Sequence, residues 1–183
     1  TRLSILSLDG NRIAKIASKA FDDMPELIGL YINSNNLTQW DNNWLSGAKS
    51  IAHISVRNNQ ITGIPDEAFK NYPRVKRISL EGNWIRSLSN KAFDKLEHIE
   101  YLELSNNGID NWNPNFLTNV SIDIIDLSGN KLKCIEGDLE TVFRNSGTIY
   151  LKNNPWNKEC LAKISEFIEK HNVELDPDYI TGF

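Results

Sequence analysis

An asparagine recurs along this chain in a fixed apolar frame. Asn11, Asn35, Asn59, Asn83, Asn107, Asn130 and Asn154 follow one another at intervals of 24, 24, 24, 24, 23 and 24 residues. The first six close the same phrase: LSILSLDGNRI from Leu3, LIGLYINSNNL from Leu27, IAHISVRNNQI from Ile51, VKRISLEGNWI from Val75, IEYLELSNNGI from Ile99 and IDIIDLSGNKL from Ile122. A unit this short cannot bury its own apolar face. Repetition in constant register therefore predicts stacking, with each unit sealed by its neighbours.

Within a unit, period-two alternation around the paired leucines marks a short strand with both leucines on one side. The chain must then turn, and the turn would bury backbone N–H and C=O groups without partners. An asparagine carboxamide carries an acceptor and two donors. It can bond the turn of its own unit and that of the next, so stacked asparagines form a ladder that satisfies the buried backbone. Ile13, Ile16, Ala20 and Phe21 close the first coil from the far side. The closing pair returns as Ala68-Phe69 and Ala92-Phe93, and Trp44-Leu45 and Phe116-Leu117 replace it in the second and fifth coils.

The pattern L-x-x-L-x-L-x-x-N-x-L resembles the leucine-rich repeat family over almost the whole chain. The expected fold is an α/β solenoid of about seven 24-residue coils with a parallel concave sheet. At ~4.8 Å per strand the sheet face is ~30 Å long. The convex side should hold loops and short helical or 3₁₀ turns. Residues 1–154 read as the solenoid and 155–183 as a C-terminal capping segment.

That segment resembles the C-terminal cap of extracellular members, in which N-P-W leads into a cysteine-bearing stretch and a helix. Asn154, Pro155 and Trp156 match, and Leu161, Ile164, Phe167 and Ile168 have helical spacing. The family usually carries Cys-x-Cys after N-P-W, and here Lys158 stands where the first cysteine would be. Cys160 then needs a partner elsewhere, and the chain's other cysteine is Cys134. The two occupy nearly the same place in adjacent coils, within bridging range. A Cys134–Cys160 disulfide would close a loop of about 27 residues, contribute about 3–4 kcal/mol and imply an oxidising compartment. The alternatives are two buried free thiols or a metal site, for which two cysteines without a nearby histidine make an incomplete ligand set. Neither a metal nor a cofactor is expected.

The first coil starts almost at Thr1, without the cysteine-bearing N-terminal cap usual in extracellular members. It is either truncated, blunted by Thr1, Arg2 and Ser4, or covered by a partner. A second copy pairing edge to edge as a homodimer is one such cover. The net charge of −4 argues against nucleic acid or an anionic membrane as the partner. No apolar run approaches the ~20 residues of a membrane span, and no basic-then-apolar segment opens the chain. Asn36-Leu37-Thr38 and Asn119-Val120-Ser121 are glycosylation sequons that support secretion, although a chain with 23 asparagines also forms such triplets by chance.

Function in such a solenoid lies in the outward strand positions, because the core dictates the inward ones. Those positions are Ile5, Ser7 and Asp9; Gly29, Tyr31 and Asn33; His53, Ser55 and Arg57; Arg77, Ser79 and Glu81; Tyr101, Glu103 and Ser105; Ile124, Asp126 and Ser128; and Thr148, Tyr150 and Lys152. A basic group (His53, Arg57, Lys76, Arg77) adjoins an acidic one (Glu81, Glu100, Glu103, Asp123, Asp126), with Tyr31, Tyr101 and Tyr150 along the face. Tyrosine and arginine are enriched at binding hot spots, and a charge step orients a polar partner. The candidate partner-binding residues are Tyr31, His53, Arg57, Arg77, Glu81, Tyr101, Glu103, Asp126 and Tyr150. The competing reading is a solvated face whose opposite charges neutralise one another.

Catalysis is not expected. His98 and His171 have no evident nucleophile partner, and no aspartate sits behind His53 to orient its ring. A flat solenoid face also lacks a water-excluding pocket. The sequence thus points to a secreted, extracellular module binding a protein or glycoprotein ligand. The alternative is a structural or assembly solenoid, or a receptor-ectodomain fragment of Toll or Slit type, working through its ends or convex side. The Asn-rich coils and two-cysteine cap resemble secreted insect leucine-rich repeat proteins, including mosquito innate-immune ones. That resemblance implies immune recognition.

Overall fold

The computed structural model describes residues 2–171. Thr1, the side chain of His171 and the last part of the expected cap lie outside the described residues. Seven strands, one per coil, form a parallel sheet: β1 (Ile5–Ser7), β2 (Gly29–Tyr31), β3 (His53–Ser55), β5 (Arg77–Ser79), β7 (His98–Glu103), β8 (Ser121–Asp126) and β9 (Ser146–Tyr150), in that spatial order. Register is constant along the stack. Ile5, Gly29, His53, Arg77, Tyr101, Ile124 and Thr148 stand side by side, as do Ser7, Tyr31, Ser55, Ser79, Glu103, Asp126 and Tyr150. The convex side carries a 3₁₀ turn (Pro114–Leu117) and a short helix α1 (Leu139–Val142). It also holds a two-stranded parallel sheet of β4 (Gly63–Ile64) and β6 (Ser87–Leu88), where turns alone were expected.

The asparagine ladder works by filling both lone pairs of one carbonyl per coil. Val56 O accepts from Asn59 Nδ2 of its own coil and from Asn83 Nδ2 of the next, each at 3.0 Å. Leu8, Ile32, Leu80, Leu104 and Leu127 carbonyls are served in the same way by their own and the following asparagine. Each Oδ1 from Asn35 onward accepts a backbone N–H of the preceding coil, as Asn83 does from Ile61 at 3.1 Å. At the last coil Leu151 O accepts from Asn154 Nδ2 and from the Trp156 indole N–H at 3.2 Å. The indole takes the place of the next asparagine and ends the ladder.

The residue before each ladder asparagine is left-handed, with φ between 53° and 67°. Asn58, Asn106 and Asn153 occupy this position in three coils, and glycine follows Asn58 and Asn106 one coil later. A Cβ on Gly82 would strike Asn58 Oδ1, and one on Gly129 would strike Asn106 Oδ1. Asparagine tolerates this conformation and glycine adopts it freely, so alternation lets one carboxamide lie over a bare neighbour.

The core runs the length of the stack. Aromatic side chains form its convex wall: Trp40 packs on Phe69 with ring centroids 5.0 Å apart, and Phe69 stacks on Phe93 at 5.5 Å. Ala68 and Ala92 are buried between coils, but Ala20 is exposed, because among the described residues no coil stacks on its outer side. Leu3 and Ile5 are exposed for the same reason.

Tyr72 ties two returns together. Its hydroxyl donates to Asn42 O at 2.8 Å and accepts from Leu45 N at 3.3 Å. Burial pushes its pKa up to about 12. An acid whose folded pKa is raised contributes stability in full below its unfolded value, near 10. That contribution is lost as pH rises from about 10 to 12, where the unfolded chain ionises first. Wild type is expected to lose about 2–3 kcal/mol over that window, at ~1.4 kcal/mol per pKa unit. Tyr72→Phe should lack this loss, which urea unfolding at pH 9 and 12 measures.

The C-terminal end is covered. Helix α2 (Lys158–His171) buries Cys160 and Ile164, with Phe167 and Ile168 partly buried beside them. Cys134 and Cys160 form a disulfide with their Cα atoms 5.2 Å apart, and neither is free. Asn36 and Asn119 are both exposed, on return segments away from the sheet.

Candidate ligand-binding face

The strands present their outward side chains on one surface, which is not flat. A concavity of about 820 Å³ opens over β2, β3 and β5 and reaches β8. Tyr31 and Tyr101 line it at either side, with Ser55 and Ser79 between them and His53, Arg57 and Arg77 around them. The depression exists because the small Ser55 and Ser79 follow Tyr31 in its row, while Tyr101 stands in the neighbouring row beside Arg77. Of the sequence candidates, Tyr31, His53, Arg57, Arg77 and Tyr101 come together here. Asp126 and Tyr150 lie farther along the sheet on β8 and β9 and do not line it.

Glu103 is buried: its side chain is only 7% exposed and lies under Arg57. The guanidinium reaches across the small Ser79 strand and forks onto it, Nε to Oε2 at 2.7 Å and Nη2 to Oε1 at 2.6 Å. Glu81 Oε2 supports the same Arg57 Nε at 3.5 Å. The Glu103 bond holds the Arg57 guanidinium still more firmly protonated. Ser55 and Ser105, read as outward, are also buried.

The charge step is largely internal. Glu100 accepts from Lys76 Nζ at 2.8 Å and from Arg77 Nε at 3.3 Å. These bonds, Lys76 first, hold its carboxyl below the usual range. Burial pushes the Tyr101 phenol upward, and the charges of Glu103 and Asp126 add to that. Glu100 and Asp123 line the concavity although each stands one residue before the alternating positions. Both stand within their strands, Glu100 in β7 and Asp123 in β8.

His98 is not without neighbours, contrary to the sequence reading. Its Nδ1 lies 2.9 Å from Ser121 Oγ, and its Nε2 lies 3.5 Å from Asp123 Oδ2. The three residues are 23 and 25 positions apart and meet because coils stack. The Ser121 hydroxyl also lies 3.1 Å from Glu97 O, so its one proton goes to Glu97 O or to Nδ1 according to the imidazole tautomer. All three side chains are exposed.

Among the described residues no cluster of three or more histidine, cysteine, aspartate or glutamate side chains could hold a metal ion. No helix among them is long and apolar enough to cross a membrane.

A family profile described as Leucine rich repeat matches residues 1–61 and 49–109. No curated protein matches the chain. Among solved structures the chain is similar to the TLR13 chain of a TLR13–ssRNA13 complex, at 22% identity with a TM-score of 0.72. The likeness covers 84% of this chain and 25% of that one, and at this identity it concerns the fold. The chain thus spans a quarter of that chain's length. With the profile matched over more than half the residues, on coils that share one strand register and one asparagine ladder, the chain belongs to the leucine-rich repeat family.

Proposed function

We propose that this chain is a secreted, non-catalytic recognition module that binds a protein or glycoprotein partner through its concave sheet face, in innate immunity. The observation that carries the reading is the concavity between Tyr31 and Tyr101, where side chains not needed by the core converge on one surface. The disulfide favours an oxidising, extracellular setting. The immune role rests on the resemblance of the Asn-rich coils and two-cysteine cap to secreted insect proteins. A protein partner is favoured over nucleic acid, although the TLR13 neighbour was crystallised with ssRNA. The net charge of −4 and the carboxylates of Glu100 and Asp123 at the concavity would repel phosphates.

One observation favours assembly as a second reading. Among the described residues β1 is an edge strand, beside exposed Leu3, Ile5 and Ile28, where a second copy could pair. A capture experiment separates the two. Wild type and a Tyr31→Ala, Arg77→Glu, Tyr101→Ala triple variant serve as baits in extracellular fluid of the source organism, with mass spectrometry as readout. Concave recognition predicts at least a tenfold loss of the captured partner by the variant. A partner kept equally by both baits places contact on the β1 edge or the convex side and overturns the concave reading.

A further inference from the structure

We infer that the concavity binds a neutral oligosaccharide displayed on the glycoprotein partner, an inference that rests on the concave-face reading above. The first argument is charge. The cations at the concavity are already paired: Arg57 is held by Glu103 and Glu81, and Arg77 shares Glu100 with Lys76. Asp123 faces His98. A strongly acidic ligand would meet Glu100 and Asp123, and a strongly basic one would meet Arg57 and Arg77. Neither gains a free countercharge.

The second argument is the hydrogen-bonding capacity left over. The Tyr31 and Tyr101 hydroxyls, the Ser79 hydroxyl and the His53 ring bond no other side chain or backbone group among the described residues, and all four are half-buried. Hydroxyls both donate and accept, as sugar hydroxyls do, so the two sets satisfy each other without ionic charge. The apolar lining includes the tyrosine rings and the half-buried Ile124, surfaces that the C–H face of a sugar can meet; Ile54 is buried, and the large exposed hydrophobics (Leu3, Ile5, Ile28 and Trp84) lie elsewhere.

The third argument is shape. The Tyr31 ring lies close over Gly29, where a Cβ would come within 3.0 Å of Cε2. Glycine at that position thus lets the ring settle as one wall, with the Tyr101 ring toward the other side. Aromatic faces carry negative charge density that attracts the C–H faces of a pyranose ring. Tyr31 and Tyr101 stand three strands apart, ~14 Å at ~4.8 Å per strand. That span suits several linked sugar rings, and a volume of about 820 Å³ suits a small-ligand site.

The test uses serum albumin conjugated to mannotriose, chitotriose or maltotriose, with bare albumin as control, immobilised and probed with the full chain. At least one conjugate is expected to bind and bare albumin is not. Tyr31→Ala and Tyr101→Ala should each weaken that binding at least tenfold, with Trp84→Ala, outside the concavity, leaving it unchanged. Circular dichroism and thermal unfolding of each variant separate lost contact from lost fold. The inference is overturned if no conjugate binds, if bare albumin binds equally, or if both tyrosine variants bind like wild type. If the triple variant loses a protein partner while no conjugate binds, the sugar inference fails and the concave reading stands. If the triple variant keeps its partner, the concave reading itself fails.

Discussion

Asn83→Leu is expected to lower the unfolding free energy by about 3–5 kcal/mol, whereas Asn11→Leu, the same change one end of the ladder away, should cost below about 1 kcal/mol. Asn83 is buried, and its Oδ1 is the acceptor for the buried Ile61 N–H. Leucine orphans that N–H, at about 1–3 kcal/mol, and removes the second bond from Val56 O and from Leu80 O, at about 0.5–1.5 kcal/mol each. Both carbonyls keep a bond from a neighbouring asparagine, which bounds the loss. Asn11 is exposed and, among the described residues, its side chain bonds only Leu8 O and Asp9 O of its own coil. Urea unfolding of both variants measures the contrast, and for a chain of this size the Asn83 loss lowers Tm by about 6–20 °C. Equal, small losses at the two sites would refute the two-coil role of the ladder.

The second large effect is asymmetric. Arg57→Met is expected to cost about 2–4 kcal/mol, because Glu103 then keeps a buried carboxylate without its cation. Glu103→Leu should cost far less, about 1 kcal/mol. Arg57 is 40% exposed and keeps water and Glu81 as partners. Combining Arg57→Met with Glu103→Leu should recover most of the Arg57→Met loss, since no uncompensated charge remains. A double-mutant cycle by denaturant unfolding reads the coupling. Equal costs for the two single variants would show that Glu103 finds another partner and that the pair is not what holds β3 and β7 across the Ser79 strand.

Both effects bear on the candidate site. The ladder keeps the coils in one register, so that Tyr31, His53, Arg77 and Tyr101 converge. The Arg57–Glu103 fork withdraws two charges from the ligand and leaves the neutral hydroxyls as the free groups. The site is therefore defined as much by what its charged residues do to one another as by which residues are present.

The asparagine interval and the alternating leucines determined, by themselves, the stacked coils, the parallel sheet and the residues able to face outward. These follow from local rules: strand parity, and the need of each turn for a two-sided hydrogen-bonding side chain. The cysteines' coil positions likewise allowed their pairing. Only the tertiary structure decided the fate of individual outward residues. Glu81 stays at the surface while Glu103 is buried, because Arg57 two strands away can reach across a serine. Ser121, His98 and Asp123 meet because stacking places residues about one coil apart side by side. Ala20 is exposed while Ala68 and Ala92 are buried, because burial here is supplied by the neighbouring coil. Within a coil the sequence speaks for itself. Between coils, exposure and pairing depend on side chains some 24 residues away, and on which of two long side chains reaches first.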